Sequence, residues 1–109
     1  MMPENLTFDG LTIAPNVLDT MVRLAAQQVK GVAGLGVGVR KTAFARAVEI
    51  DADGQGGLLI NVHVQAYAGE QLRDLGRAIQ DAIADALKSQ LGVETTRVDV
   101  YIDGLVFAE

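Results

Sequence analysis

Cysteine and tryptophan are absent from the 109 residues, and histidine and serine occur once each, as His63 and Ser89. Without cysteine there is no disulfide framework, no thiolate nucleophile and no Cys-based zinc site. A Ser-His-Asp arrangement has a single pair of partners to draw on. Ser89 sits near the end of a helical pattern with no Gly-x-Ser-x-Gly elbow around it. A metal site built on His63 has no second imidazole or thiolate to draw on and would have to be completed by carboxylates. The chain therefore reads as a protein without catalytic residues, cofactor or metal. Basic charge is scarce too: nine Lys and Arg stand against fourteen Asp and Glu, a formal net charge of −5. That sign opposes nucleic-acid binding, which rests on cations that neutralise phosphates. No window reaches the ~20 apolar residues of a membrane span. The opening Met1–Asn5 has neither the basic nor the apolar region of a signal peptide, so the expected address is cytoplasmic.

What is present is a globular composition, 50% apolar and 21% charged, far from that of a disordered chain. No repeat or linker interrupts it, so residues 1–109 are read as a single domain. The acids are unevenly spread. Residues 1–43 hold four bases and three acids, whereas residues 44–109 hold five bases and eleven acids.

Hydrophobic periodicity outlines the elements. Residues 6–14 are rich in β-formers around Gly10 and predict a short strand. Pro15 suits a first helical position, and Val17, Leu18, Met21, Val22, Ala25 and Val29 follow at helical spacing, with Gly31 as the stop. Residues 31–38 carry four glycines and predict a mobile loop or a weak, twisted strand, followed by the basic cluster Arg40, Lys41 and Arg46. Phe44, Val48 and Ile50 mark one side of a strand over 44–50, and the glycine-rich run 51–57 predicts a hairpin connection. The clearest strand follows, with Leu58, Ile60, Val62, Val64 and Ala66 alternating with Leu59, Asn61, His63, Gln65 and Tyr67. A helix over about 70–91 buries Leu72, Leu75, Ile79, Ala82, Ile83, Ala86, Leu87 and Leu91, and stops at Gly92. Its exposed side offers Asp74–Arg77, Arg77–Asp81 and Asp85–Lys88 pairs, and Gly76 within it implies close helix–sheet packing. The last strand, about 94–103, alternates again and is broken by Gly104.

The order is β-α-β-β-α-β. Two amphipathic helices and strands with one apolar face each predict an α+β two-layer sandwich, with both helices on one face of a mainly antiparallel sheet. Two β-α-β crossovers joined by a hairpin suggest ferredoxin-like topology.

Three stretches, in order, resemble the alkaline-shock or general-stress family of bacterial envelope stress response proteins. Leu11-Thr12-Ile13-Ala14-Pro15-Asn16-Val17-Leu18 is similar to the family's opening x-I-A-P-E-V, with Asn16 where Glu is usual. Val29-Lys30-Gly31-Val32-Ala33-Gly34-Leu35 is similar to its V-x-G-V-x-G-M segment. Val98-Asp99-Val100-Tyr101-Ile102-Asp103-Gly104-Leu105 is similar to its closing V-x-V-x-V-x-G-V. The resemblance implies a non-enzymatic protein of envelope stress or cell-envelope homeostasis. Such a protein is cytosolic, self-associates, and in some members sits beneath the membrane through a membrane-anchored partner.

Other motifs were weighed against this reading. Gly31-Val32-Ala33-Gly34 matches the G-x-x-G clamp of KH-type RNA-binding domains, with Lys30, Arg40 and Lys41 near it, but no second helix follows. Asp51 and Asp53 invite calcium but lack EF-hand spacing. Asp99 and Asp103 on one strand face stand about 13 Å apart, too far for a glycosidase pair. The acidic outer side of the second helix opposes direct membrane docking. A ferredoxin-like small-molecule-sensing module is the alternative from another class. If both helices cover one side of the sheet, the other displays Leu59, Asn61, His63, Gln65, Tyr67, Arg97, Asp99, Tyr101 and Asp103. Both tyrosines of the chain belong to it. Tyrosine and arginine concentrate at interface centres, so Tyr67, Arg97, Asp99 and Tyr101 are the candidate partner-binding residues, with Arg97 and Tyr101 as anchors.

Overall fold

The strict alternation of the central run settles the architecture. In a computed structural model, which describes residues 6–8, 11–35 and 47–107, this run forms β5, Gly57–Tyr67. Leu58, Ile60, Val62, Val64 and Ala66 are all at most 1% exposed, while the residues between them face away from the core. A strand has a side-chain period of two, so one apolar face is buried whole or not at all.

The other elements assemble around β5. β1 (Leu6–Phe8) and β2 (Leu11–Ile13) precede α1 (Pro15–Gln27), and β3 (Val32–Leu35) and β4 (Val48–Ala52) lead into β5. α2 (Leu72–Leu91) and β6 (Glu94–Val106) complete the chain. β4 pairs antiparallel with the first half of β5, from Val48 opposite Val62 to Ala52 opposite Leu58. β3 pairs antiparallel with its second half, with Val32 opposite Ala66 and Leu35 opposite Val64. On the other side β6 runs parallel to β5 along its whole length. The return from β5 to a parallel neighbour needs a crossover, which α2 supplies. The architecture is α+β with both helices on one face of the sheet, as expected.

The helices cover the apolar face of β5. Leu18, Val22 and Ala26 from α1 and Leu75, Ile79, Ile83 and Leu87 from α2 are buried with Val48, Ile50 and the inward residues of β5 in one cluster. Each large side chain so buried contributes roughly 1.5–3 kcal/mol. Val17 and Leu72, which the spacing assigned to the buried stripes, are exposed instead. Leu72 opens α2, where only one side of the turn meets the sheet.

Several local expectations change. Residues 6–14 are not one strand. Leu6–Phe8 and Leu11–Ile13 pair with each other as a separate two-stranded sheet, so among the described residues the first strand does not join the main sheet. α1 stops at Gln27, before Gly31; Gly31 instead has φ +105° and turns the chain into β3. A Cβ there would come within 2.8 Å of Glu70 Oε1, the end of a flexible side chain that can move aside, so the positive φ is the reason for glycine. Of the two readings of the glycine-rich run, the strand holds over Val32–Leu35, an edge strand with a bulge between Val32 and Gly34. Phe44, Arg40, Lys41, Arg46 and the glycines at 36 and 38 lie outside the described residues.

Gly104 does not end the last strand. β6 runs through it to Val106 by a bulge between Ile102 and Gly104, after which Leu105 and Val106 pair with Ala66 and Tyr67. Gly76 does not mark close packing either: a Cβ there would meet nothing within 4 Å. Nothing in the structure explains that glycine. Lys88 pairs with Glu94 at 3.1 Å and not with Asp85. Gly92 caps α2 in the left-handed conformation, φ 70°, as expected of a C-terminal glycine.

Candidate interaction surface

Covering one face of the sheet leaves the other uncovered by either helix. β5 presents Leu59, Asn61, His63, Gln65 and Tyr67 there, because their neighbours are committed to the core. β4 adds Glu49, opposite Asn61, and Asp51, opposite Leu59. The parallel register adds Arg97 beside Leu59, Asp99 beside Asn61 and Tyr101 beside His63.

At the centre is a cluster that sequence reasoning missed. The rings of His63 and Tyr101 stack with centroids 4.6 Å apart and planes 14° from parallel. His63 Nδ1 lies 2.6 Å from Asp103 Oδ2, within hydrogen-bond reach of the carboxylate. Alternation along β6 carries Asp103 to the open face with Tyr101, and the bulge follows at Gly104. The three residues are spread over a separation of 40 positions, and only the β5–β6 register unites them. The one available signal was that His63 and Tyr101 occupy outward positions of their strands.

Arg97 Nε lies 3.0 Å from Asp99 Oδ1, an exposed pair on one strand that adds little to stability. Asn61 Nδ2 reaches Glu49 Oε1 at 3.5 Å. Arg97, Asp99 and Tyr101 thus stand together with His63 and Asp103. Tyr67 does not join them. Four residues along β5 from His63, it lies about 13 Å away, paired instead with Val106. Tyr67 is 41% exposed and Tyr101 44%. Among the described residues, the face carries four carboxylates (Glu49, Asp51, Asp99, Asp103) around one guanidinium and one imidazole.

The remaining candidates resolve separately. Among the described residues, no group of three or more His, Cys, Asp or Glu comes together that could hold a metal ion. Asp53 Oδ1 accepts the backbone N–H groups of Gln55 at 2.7 Å and Gly57 at 3.0 Å, so that carboxylate shapes the β4–β5 turn. The Gly31–Gly34 segment leads into β3 and does not join two helices, which removes the geometry of a KH clamp. Ser89 is exposed on α2. No described helix is long and apolar enough to cross a membrane. On the helical side a groove of about 410 Å³ opens between α1 and α2, lined by Met21, Leu24, Ala25, Val29, Ala82 and Ala86 with Gln28 and Gln90 at its polar margin.

The sequence matches, over residues 4–107, the alkaline shock protein 23 family, whose description is a cell envelope-related function. The chain belongs to that family. Comparison with curated proteins gives no match. Among solved structures, this family member is similar to the nickel form of a MamM CTD variant, with 14% identity and a TM-score of 0.59 over 86% of this chain and 99% of that one. A second MamM CTD variant gives 13% identity and a TM-score of 0.60 over 86% and 83%. A manganese form gives 14% and 0.59 over 82% and 96%. At that identity the likeness speaks for the fold alone.

Proposed function

We propose that this family member is a non-enzymatic protein of cell-envelope homeostasis that works by self-association and partner binding through the open face of its sheet. The observation that carries the reading is the pair of half-exposed tyrosines and Arg97 on a sheet face that neither helix covers. Large amphipathic side chains of this kind bury area on docking while keeping a polar handle. His63 and Asp103 brace Tyr101 by stacking and hydrogen bonding, which lowers the entropy cost of fixing it in an interface. Recruitment to the inner face of the membrane would go through a membrane-anchored protein, because the exposed Asp74, Asp81 and Asp85 of α2 are repelled by anionic lipid. The nickel and manganese forms belong to those structural neighbours and carry no metal role over to this chain.

Arg97→Glu combined with Tyr101→Ala tests this. The variant should retain its circular dichroism spectrum and lose oligomer mass in analytical ultracentrifugation. Unchanged mass and unchanged partner capture would make the face a wet surface.

A second reading, the small-molecule-sensing module, is supported by the α1–α2 groove, whose volume falls in the usual range for ligand pockets. A rise in melting temperature with a small apolar ligand, lost on Ala82→Leu, would favour it. The RNA-binding alternative has no such support.

A further inference from the structure

The longest strand of the molecule is also an edge strand. β6 spans 13 residues, and among the described residues it pairs only with β5. Successive residues of a strand turn their backbone N–H and C=O groups to opposite sides. The Val98 carbonyl shows which set points outward: it accepts a hydrogen bond, 2.9 Å, from the side-chain amide of Gln80 on α2. Alternation then directs the backbone groups of Val98, Val100 and Ile102 to the free edge, within the stretch Arg97–Ile102 where the register with β5 is unbroken. A free edge of this length is a template for strand addition, and proteins ordinarily blunt it. Gln80 blunts one carbonyl of the three residues.

We propose that this edge pairs with the same edge of a second copy, antiparallel about Val100, joining the two sheets into one. The register follows from charge and from the Gln80 bond. Centred on Val100, the strand places Arg97 opposite Asp103 of the other copy, twice by symmetry, and Val98 opposite Ile102. Directly opposed unlike charges favour a cross-strand pair, and like charges oppose it. Centring on Ile102 would set Asp103 opposite Tyr101 with no charge pair and would run into the bulge. Centring on Val98 would also oppose unlike charges, Arg97 against Asp99, but would put the carbonyl held by Gln80 at the middle, so charge and the Gln80 bond together fix the register. In the Val100 register every outward-facing residue meets another outward-facing residue, which gives the hydrogen-bonded pairs of an antiparallel ladder. Gln80 competes with the partner's Ile102 N–H for the Val98 carbonyl, so it acts as a latch on the free edge.

The proposal rests on the self-association reading but uses the edge of the sheet, not its open face, and the test separates the two. Backbone amide exchange of the unaltered chain is measured at concentrations spanning its monomer–oligomer transition. The Val100 and Ile102 amides should slow at least tenfold as the oligomer forms. Val100→Pro removes one outward N–H without touching a bond to β5 and should give a folded chain of monomer mass. Gln80→Ala should tighten association several-fold, and Arg97→Asp should weaken it, with Asp103→Arg in the same chain restoring it. An oligomer whose Val100 and Ile102 amides stay fast overturns the edge and leaves the open face as the interface. A chain that stays monomeric at every concentration overturns both. If Val100→Pro does not fold, the exchange measurement on the unaltered chain decides.

Discussion

The two faces of β5 are made by the same eleven residues, yet they follow different rules. Toward the helices stand Leu58, Ile60, Val62, Val64 and Ala66, each sealed in an apolar layer. Away from them stand Leu59, Asn61, His63, Gln65 and Tyr67, all partly open, of which Asn61 bonds Glu49 on β4 and His63 meets Tyr101 and Asp103 on β6. On the first face identity is constrained by volume, because close-packed interiors feel a single methylene. On the second it is free of volume and so can be spent on recognition. Under the proposed function, stability and recognition fall to alternate residues of one strand.

Breaking the core face should have the largest effect. Ile60→Ala removes three carbons from a position 1% exposed. It should cost about 2–5 kcal/mol in denaturant unfolding. A loss below about 1 kcal/mol would mean that this layer is loosely packed and that the two faces differ less than their burial implies. Next comes the hinge between the layers. Gly31, at φ +105°, accepts a hydrogen bond from the Tyr67 N–H at its carbonyl oxygen, 2.9 Å, and lets α1 turn into β3. Gly31→Ala should cost about 1–3 kcal/mol, because an L-residue is strained there. Glu70→Ala in the same chain would recover little, since the backbone and not the Glu70 side chain sets the cost.

Much of this division was legible in the sequence, and where it was not the reasons are physical. β5 and α2 could be read because period two and period 3.6 persist through them, and Leu18, Val22, Ile79 and Ile83 fell on the stripes they occupy. Membership of the open face followed from the same alternation, which is why Arg97, Asp99 and Tyr101 were found. The glycine signals were less informative. Gly34 sits in a paired strand, Gly104 in a bulge that prolongs one, and Gly76 in open space, so glycine marked three different situations with the same letter. The His63–Tyr101–Asp103 cluster was hidden for another reason. A parallel pair is joined by a crossover that does not fix its register, whereas a hairpin turn does.

Gly76→Ala is the gain-of-stability counterpart. With no neighbour within 4 Å of the added methyl and a helical backbone, the substitution should stabilise the fold by about 1 kcal/mol. A destabilised variant would reveal a contact that the packing of α2 does not otherwise suggest. On the open face, His63→Ala removes the bond to Asp103 and the stack on Tyr101. The position is only half-buried, and water can replace the lost partner, so the loss should stay within about 1 kcal/mol. A loss above about 3 kcal/mol would place His63 in the structural half of the strand after all.

Leu59→Thr should have the smallest effect on folding and is the most discriminating for function. Leu59 lies between Asp51 and Arg97 in the sheet and is 37% exposed, next in the chain to the sealed Leu58 and Ile60. Threonine, branched at Cβ, suits a strand and gives up only apolar surface that water already reaches. Unfolding stability should therefore change by no more than about 0.5 kcal/mol. If the open face docks against another protein surface, the same substitution removes an apolar contact at its centre, and the oligomer mass or partner affinity falls with no change in the unfolding curve. If mass, affinity and stability are all unmoved, Leu59 is a leucine that merely touches water, and the free edge of β6 becomes the better account of how the protein assembles.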